Sequence, residues 1–118
     1  MNHKHYLSMA KMVAQDRRDD GRQFMHGAVG VRKDGLLVFA SNIKSPGFIP
    51  RCHAEARLSQ KLDKGAVVYV ARVRKIDGSM ANSRPCEDCL RAMRRMDVRR
   101  VYYSISDHEY GMIDRLGM

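Results

Sequence analysis

The period of apolar positions changes several times along the chain, and each change marks an element. Tyr6, Met9, Ala10 and Val13 recur at i, i+3, i+4 and i+7, which predicts a helix over residues 3–17 that stops near Asp19-Asp20-Gly21. His26 to Val31 and Leu36 to Ala40 then read as strands. Arg32-Lys33-Asp34-Gly35 lies between them, and its Asp-Gly supplies the positive φ of a tight hairpin, so the two strands pair antiparallel. After an irregular stretch from Asn42 to Arg51, the spacing of Ala54, Leu58 and Leu62 turns helical, with Gly65 as the expected stop.

Ala66-Val67-Val68-Tyr69-Val70-Ala71 is apolar without alternation, the pattern of a strand covered on both faces, so helices should flank the sheet on both sides. A further helix is expected to start with Pro85 in its first position and to bury Cys89, Ala92, Met93 and Met96. Val101 to Ile105 reads as another central strand. Only Ser106-Asp107-His108-Glu109 separates it from Tyr110-Gly111-Met112-Ile113. A parallel return needs a crossover of about a dozen residues, so this last strand should be an antiparallel edge. The expected fold class is α/β: a three-layer αβα sandwich around a mixed central sheet of about five strands.

With 118 residues and neither a repeat nor a linker, one domain over residues 1–118 is expected. The 44% hydrophobic and 30% charged residues fit a soluble globular chain and argue against disorder. No apolar run approaches the roughly 20 residues of a spanning helix, so no membrane partner is expected. Twenty-two basic residues against 13 acidic ones leave a net charge of +9, which attracts phosphate-bearing partners without choosing among them. Arg91, Arg94, Arg95, Arg99 and Arg100 lie opposite the apolar stripe of the last helix and read first as a solvated face. Three cysteines, two of them in one C-x-x-C, fit a metal site in a reducing, cytoplasmic setting better than a disulfide framework.

Two stretches carry chemistry: Cys52-His53-Ala54-Glu55 and Pro85-Cys86-Glu87-Asp88-Cys89, both at expected helix starts. On a regular helix, residues two apart point about 200° from each other, so His53 and Glu55 can share only a site lying off the helix N-terminus. A C-x-x-C spans one turn and brings Cys86 and Cys89 to the same side, where two thiolates can grip a soft divalent ion. With His53 the count is three N/S ligands, the number in catalytic zinc sites, which leave the fourth position to water of lowered pKa. Glu55, not needed as a ligand, suits the role of proton carrier. Cys52 is left out of the metal set, because His53 already fills the ligand position.

His-Ala-Glu followed by Pro-Cys-x-x-Cys resembles the zinc-dependent cytidine and deoxycytidylate deaminase superfamily, whose H-x-E…P-C-x-x-C pattern these residues match. The order of elements over most of the chain is also similar. The resemblance implies one zinc per chain held by His53, Cys86 and Cys89, with Glu55 catalytic. It implies a small-molecule cytosine nucleoside or nucleotide as substrate, with single-stranded nucleic acid or a non-catalytic zinc module as alternatives, and a homo-oligomer. Substrate contacts carried over are Asn42 to the sugar, Phe24 to the base, and Ala54 and Arg84 beside the two motifs. Asn42 to Gly47 resembles the Asn-Gly-x-Pro-x-Gly loop of deoxycytidylate deaminases, while Phe24 before His26-Gly27-Ala28 resembles free cytidine deaminases. Lys44 stands where free cytidine deaminases carry a ribose-binding glutamate, and a cation there suits a phosphate. The short tail after Ile105 is similar to the antiparallel branch of the superfamily.

Overall fold

The protein, seen in a computed structural model, is described at residues 2–15, 24–41 and 54–114; of Glu55 and Ala56 the backbone alone is described. Helix α1 spans His3–Gln15. Strands β1 (Phe24–Val31) and β2 (Leu37–Ser41) form the expected hairpin, with Gly35 at φ +91° in the turn. Helix α2 covers Ala54–Ser59, β3 Val67–Arg74 and β4 Met80–Ala81. Helix α3 runs Glu87–Arg95, followed by β5 (Arg100–Ser104) and β6 (Tyr110–Asp114). The sheet order is β2-β1-β3-β5-β6, with β4 attached to β3. β3 and β5 are parallel and the other pairs antiparallel, including the last strand as expected. Among the described residues no helix is long and apolar enough to cross a membrane.

The unbroken apolar run of β3 has the predicted cause. Val68 and Val70 face Leu58, Cys89, Met93 and Val101 in a core shared with α2 and α3, whereas Tyr69 and Ala71 face Leu7, Ala10 and Tyr102 under α1. Three layers result. On the α1 side the Tyr69 and Tyr102 rings stack with centroids 5.1 Å apart, and His3 lies on Tyr102 at 4.1 Å with its Nδ1 2.7 Å from Tyr69 Oη. Burial pushes the Tyr69 phenol far above its ordinary range, so the hydroxyl keeps its proton for that bond.

Three expectations change. The sheet has six strands, because Arg74 and Ser79 close a turn around Gly78 (φ +73°) that folds Met80–Ala81 back on β3. Helix α2 ends at Ser59, before Leu62 and Gly65. The amides of Lys61 and Leu62 bond the carbonyls of Leu58 and Ser59, tightening the chain into a three-residue turn that still buries Leu62. Pro85 lies outside α3: Cys86 is extended (φ −72°, ψ 167°) and accepts the first helical hydrogen bond from Leu90 at 3.0 Å, which makes it the N-cap. On α3 Cys89 and Met93 are buried as expected, together with Leu90, while Ala92 and Met96 are only partly buried against the same core; Arg91, Arg94, Arg95 and Arg99 are exposed, and Arg100 belongs to β5.

Helix α1 approaches β1 closely enough that a side chain on Gly27 would run into the carbonyl oxygen of Ala10 and the backbone nitrogen of Ala14. Backbone cannot give way as a flexible side chain can. Gly27→Ala should therefore lower stability by about 1–3 kcal/mol, read as an earlier urea midpoint with unchanged slope.

Candidate active site

The start of α2 and the start of α3 are brought to one edge of the sheet. For α3, the amide of Gly65 bonds Asp97 and that of Arg99 bonds Ala66, so the helix C-terminus sits at the start of β3 and its N-terminus at the other end. For α2, Leu58 and Leu62 lie over Gly30, and Lys33 N–H donates to Asp63 at 3.0 Å. Its C-terminal side is thereby fixed at the start of β3 as well. Arg57 Nη1 donates to the Ser41 carbonyl at the end of β2, which leaves Ala54 facing the edge formed by Ser41, Gly27 and Ala71.

The chain between β3 and α3 is pinned there by two buried hydroxyls. Ser83 N–H donates to the Ser104 carbonyl at 2.8 Å, and Ser83 Oγ lies 3.0 and 3.1 Å from the carbonyls of Val70 and Ser104. Ser104 Oγ donates to Ala81 at 2.7 Å, lies 2.8 Å from Ser83 Oγ and receives the Arg72 amide at 3.3 Å. Asn82 Oδ1 then accepts the Arg84 amide at 2.9 Å, turning the chain into Pro85 and Cys86.

Cys86 is exposed and Cys89 fully buried, with their sulfurs 3.5 Å apart. That is far beyond the roughly 2.05 Å of a disulfide and close to the separation of about 3.8 Å that two sulfurs adopt on one tetrahedral zinc at about 2.3 Å. The donor set fits zinc. Cys86 caps the N-terminus of a nine-residue helix and Cys89 stands in its first turn.

Ala54 is buried at the first position of α2 and Glu55 follows it on the helix. Phe24, half-buried at the start of β1, has the Arg72 guanidinium 3.8 Å over its ring. Arg84 is exposed, its Nη1 3.4 Å from Tyr103 Oη and its Cζ 5.8 Å from that ring's centre. His53, Asn42 and Lys44 lie outside the described residues, as does Cys52. Sequence reasoning missed Ser83, Ser104, Arg72 and Tyr103. None belongs to a motif, and only the register between strands brings them to this edge.

The chain matches the family described as "Cytidine and deoxycytidylate deaminase zinc-binding region" over residues 1–105. No curated protein matches it. Among solved structures, the cytidine deaminase from Burkholderia pseudomallei is 18% identical, with 98% of this chain and 94% of that one covered and a TM-score of 0.71. The cytidine deaminase from Mycobacterium leprae gives 16%, 95%, 93% and 0.62 in the same order, and that from Mycobacterium tuberculosis 16%, 99%, 92% and 0.59. At such identities the likeness is one of fold.

Removing the Ser104 hydroxyl takes one partner each from the Ala81 carbonyl, the Ser83 hydroxyl and the Arg72 amide. Ser104→Ala should cost about 1–3 kcal/mol in thermal or urea unfolding, more than the same change at the half-buried Ser106.

Proposed function

The chain belongs to the cytidine and deoxycytidylate deaminase family, and from that membership we propose that it hydrolyses the exocyclic amine of cytosine in a free nucleoside or nucleotide, giving the uracil form and ammonia. Zinc is its cofactor, one ion per chain. The observation that carries the reading is the sulfur pair of Cys86 and Cys89 at the same sheet edge toward which the start of α2 is turned. His53, Cys86 and Cys89 would hold the zinc. When bound, it supplies the acidity that makes water nucleophilic near neutral pH.

The remaining work falls to this chain's own groups. Glu55 takes one proton from the attacking water and delivers it to the ring nitrogen beside C4 as the C–O bond forms, then carries the remaining hydroxyl proton to the amine, so that the C–N bond breaks and ammonia leaves. Arg84, one residue before Pro85, offers its carbonyl to the amino group. Asn42 contacts the sugar, Phe24 lies along the base, and Ala54 closes the pocket between the motifs. Lys44 favours a phosphorylated sugar over a bare one.

Loss of cytosine absorbance should be seen with at least one of cytidine, deoxycytidine and their monophosphates; zinc-loaded protein that turns over none of them defeats the proposal. Glu55→Gln should lower kcat by about 10²–10⁴-fold while keeping its zinc. Cys89→Ser should instead lose the metal in elemental analysis and the activity with it.

A further inference from the structure

β3 alternates across the sheet, with Val68 and Val70 facing α2 and α3, and Arg72 continues that row to the edge where Cys86 lies. In the antiparallel register His26 stands opposite Arg72 and Phe24 opposite Arg74, so Phe24 shares this face. The guanidinium carbon lies over the Phe24 ring, 3.8 Å from its centre, and Nε is buried with no hydrogen-bond partner among the described residues. A buried charged N–H in that state is costly.

Next along the edge, Tyr103 pairs with Val70, which places its Cα about 8 Å from that of Arg72 by the spacing of strands and residues. Its ring lies across Gly111 of β6, where any side chain would collide with it, and it supports the Arg84 guanidinium. Among the described residues neither arginine forms an ion pair, although Arg32, Arg91, Arg94 and Arg100 all do. Two guanidinium groups are thus each laid on an aromatic ring at the site edge. Rings orient a guanidinium without neutralising it.

We propose that Arg72 and Arg84 form a two-pronged grip for the phosphate ester of a free cytosine nucleotide, with Arg72 Nε–H as one of its donors. The phosphorylated substrate is then preferred to the bare nucleoside. This rests on the deaminase reading above and adds to it a specificity-determining residue that no motif marks.

The test compares kcat/KM for deoxycytidine, its 5′-monophosphate and a short oligodeoxycytidine in the parent, Arg72→Gln, Arg72→Lys and Arg84→Gln. Expected is a preference for the monophosphate over the nucleoside that Arg72→Gln reduces by about tenfold or more, as loss of a charge-assisted bond requires. Arg72→Lys should restore little of it, because an ammonium group lacks the fixed Nε–H. Inorganic phosphate should protect the parent against thermal unfolding and protect Arg72→Gln less. If Arg72→Gln does not fold, Arg84→Gln and phosphate protection of the parent decide by the same criteria. Equal kcat/KM for nucleoside and monophosphate, or equal losses on both in the variant, overturns the grip and leaves the deaminase standing. Preference for the oligonucleotide over the monophosphate also overturns it. If no cytosine compound is turned over, the deaminase reading falls, and phosphate protection lost in Arg72→Gln still supports the anion site.

Discussion

Two buried hydroxyls, Ser83 and Ser104, fix the point at which the chain leaves β4 for α3, and the placement of both sulfurs follows from that point. The crossover after a parallel strand has to leave the sheet where the strand ends, and its backbone groups need partners once buried. Here the carbonyls of Val70, Ala81 and Ser104 and the amides of Arg72 and Ser83 are met by one another and by two side-chain oxygens. The chain then has a single path into Asn82, Arg84 and Cys86. Because Cys86 is the N-cap, its sulfur is set by the extended backbone outside the helix, whereas the Cys89 sulfur is set by the helix packed on Val68 and Val101. Their 3.5 Å separation is thus the meeting of two rigid parts.

The same packing explains why the edge can carry charge. The core beneath it is made of small and branched residues, Ala28, Ala54, Val68, Val70 and Cys89, all essentially inaccessible. On the far side of the sheet, α1 is held by close backbone contact at Gly27 and by the tyrosine stack. Neither core contains the arginines at the edge. Arg72 and Arg84 can therefore stand there with no ion pair among the described residues, at a cost the two cores can bear.

Much of this was legible in the sequence. An unbroken apolar run can only be a doubly covered strand when it is as short as Ala66 to Ala71, and a four-residue break leaves Tyr110 no geometry but an antiparallel return. The C-x-x-C spacing likewise placed two sulfurs together. What periodicity recorded at Leu62 was burial, and a tight turn buries a leucine as well as a helix does. Pro85 fits a first helical position by φ alone, but the hydrogen bond from Leu90 to Cys86 moves the boundary by two residues. Arg72 gave no signal, because a lone arginine at a strand end reads as a solvated terminus. Its meaning comes from Phe24, 48 positions earlier and beside it only through the register of β1 with β3.

A net charge of +9 does not by itself place charge anywhere. Arg32 with Asp34, Arg94 with Glu87, and Arg100 with Asp114 are solvent-facing pairs that contribute little to stability and are screened by salt. Acidic residues were thus available, and the fold sets them against arginines at the far end of β1, along α3 and at the far end of β5 and β6. At the edge holding the sulfurs, the described groups set against Arg72 and Arg84 are rings. A carboxylate paired with either would have cancelled its charge, while phenyl and phenol groups hold a guanidinium in place and leave its charge free to act on an anion.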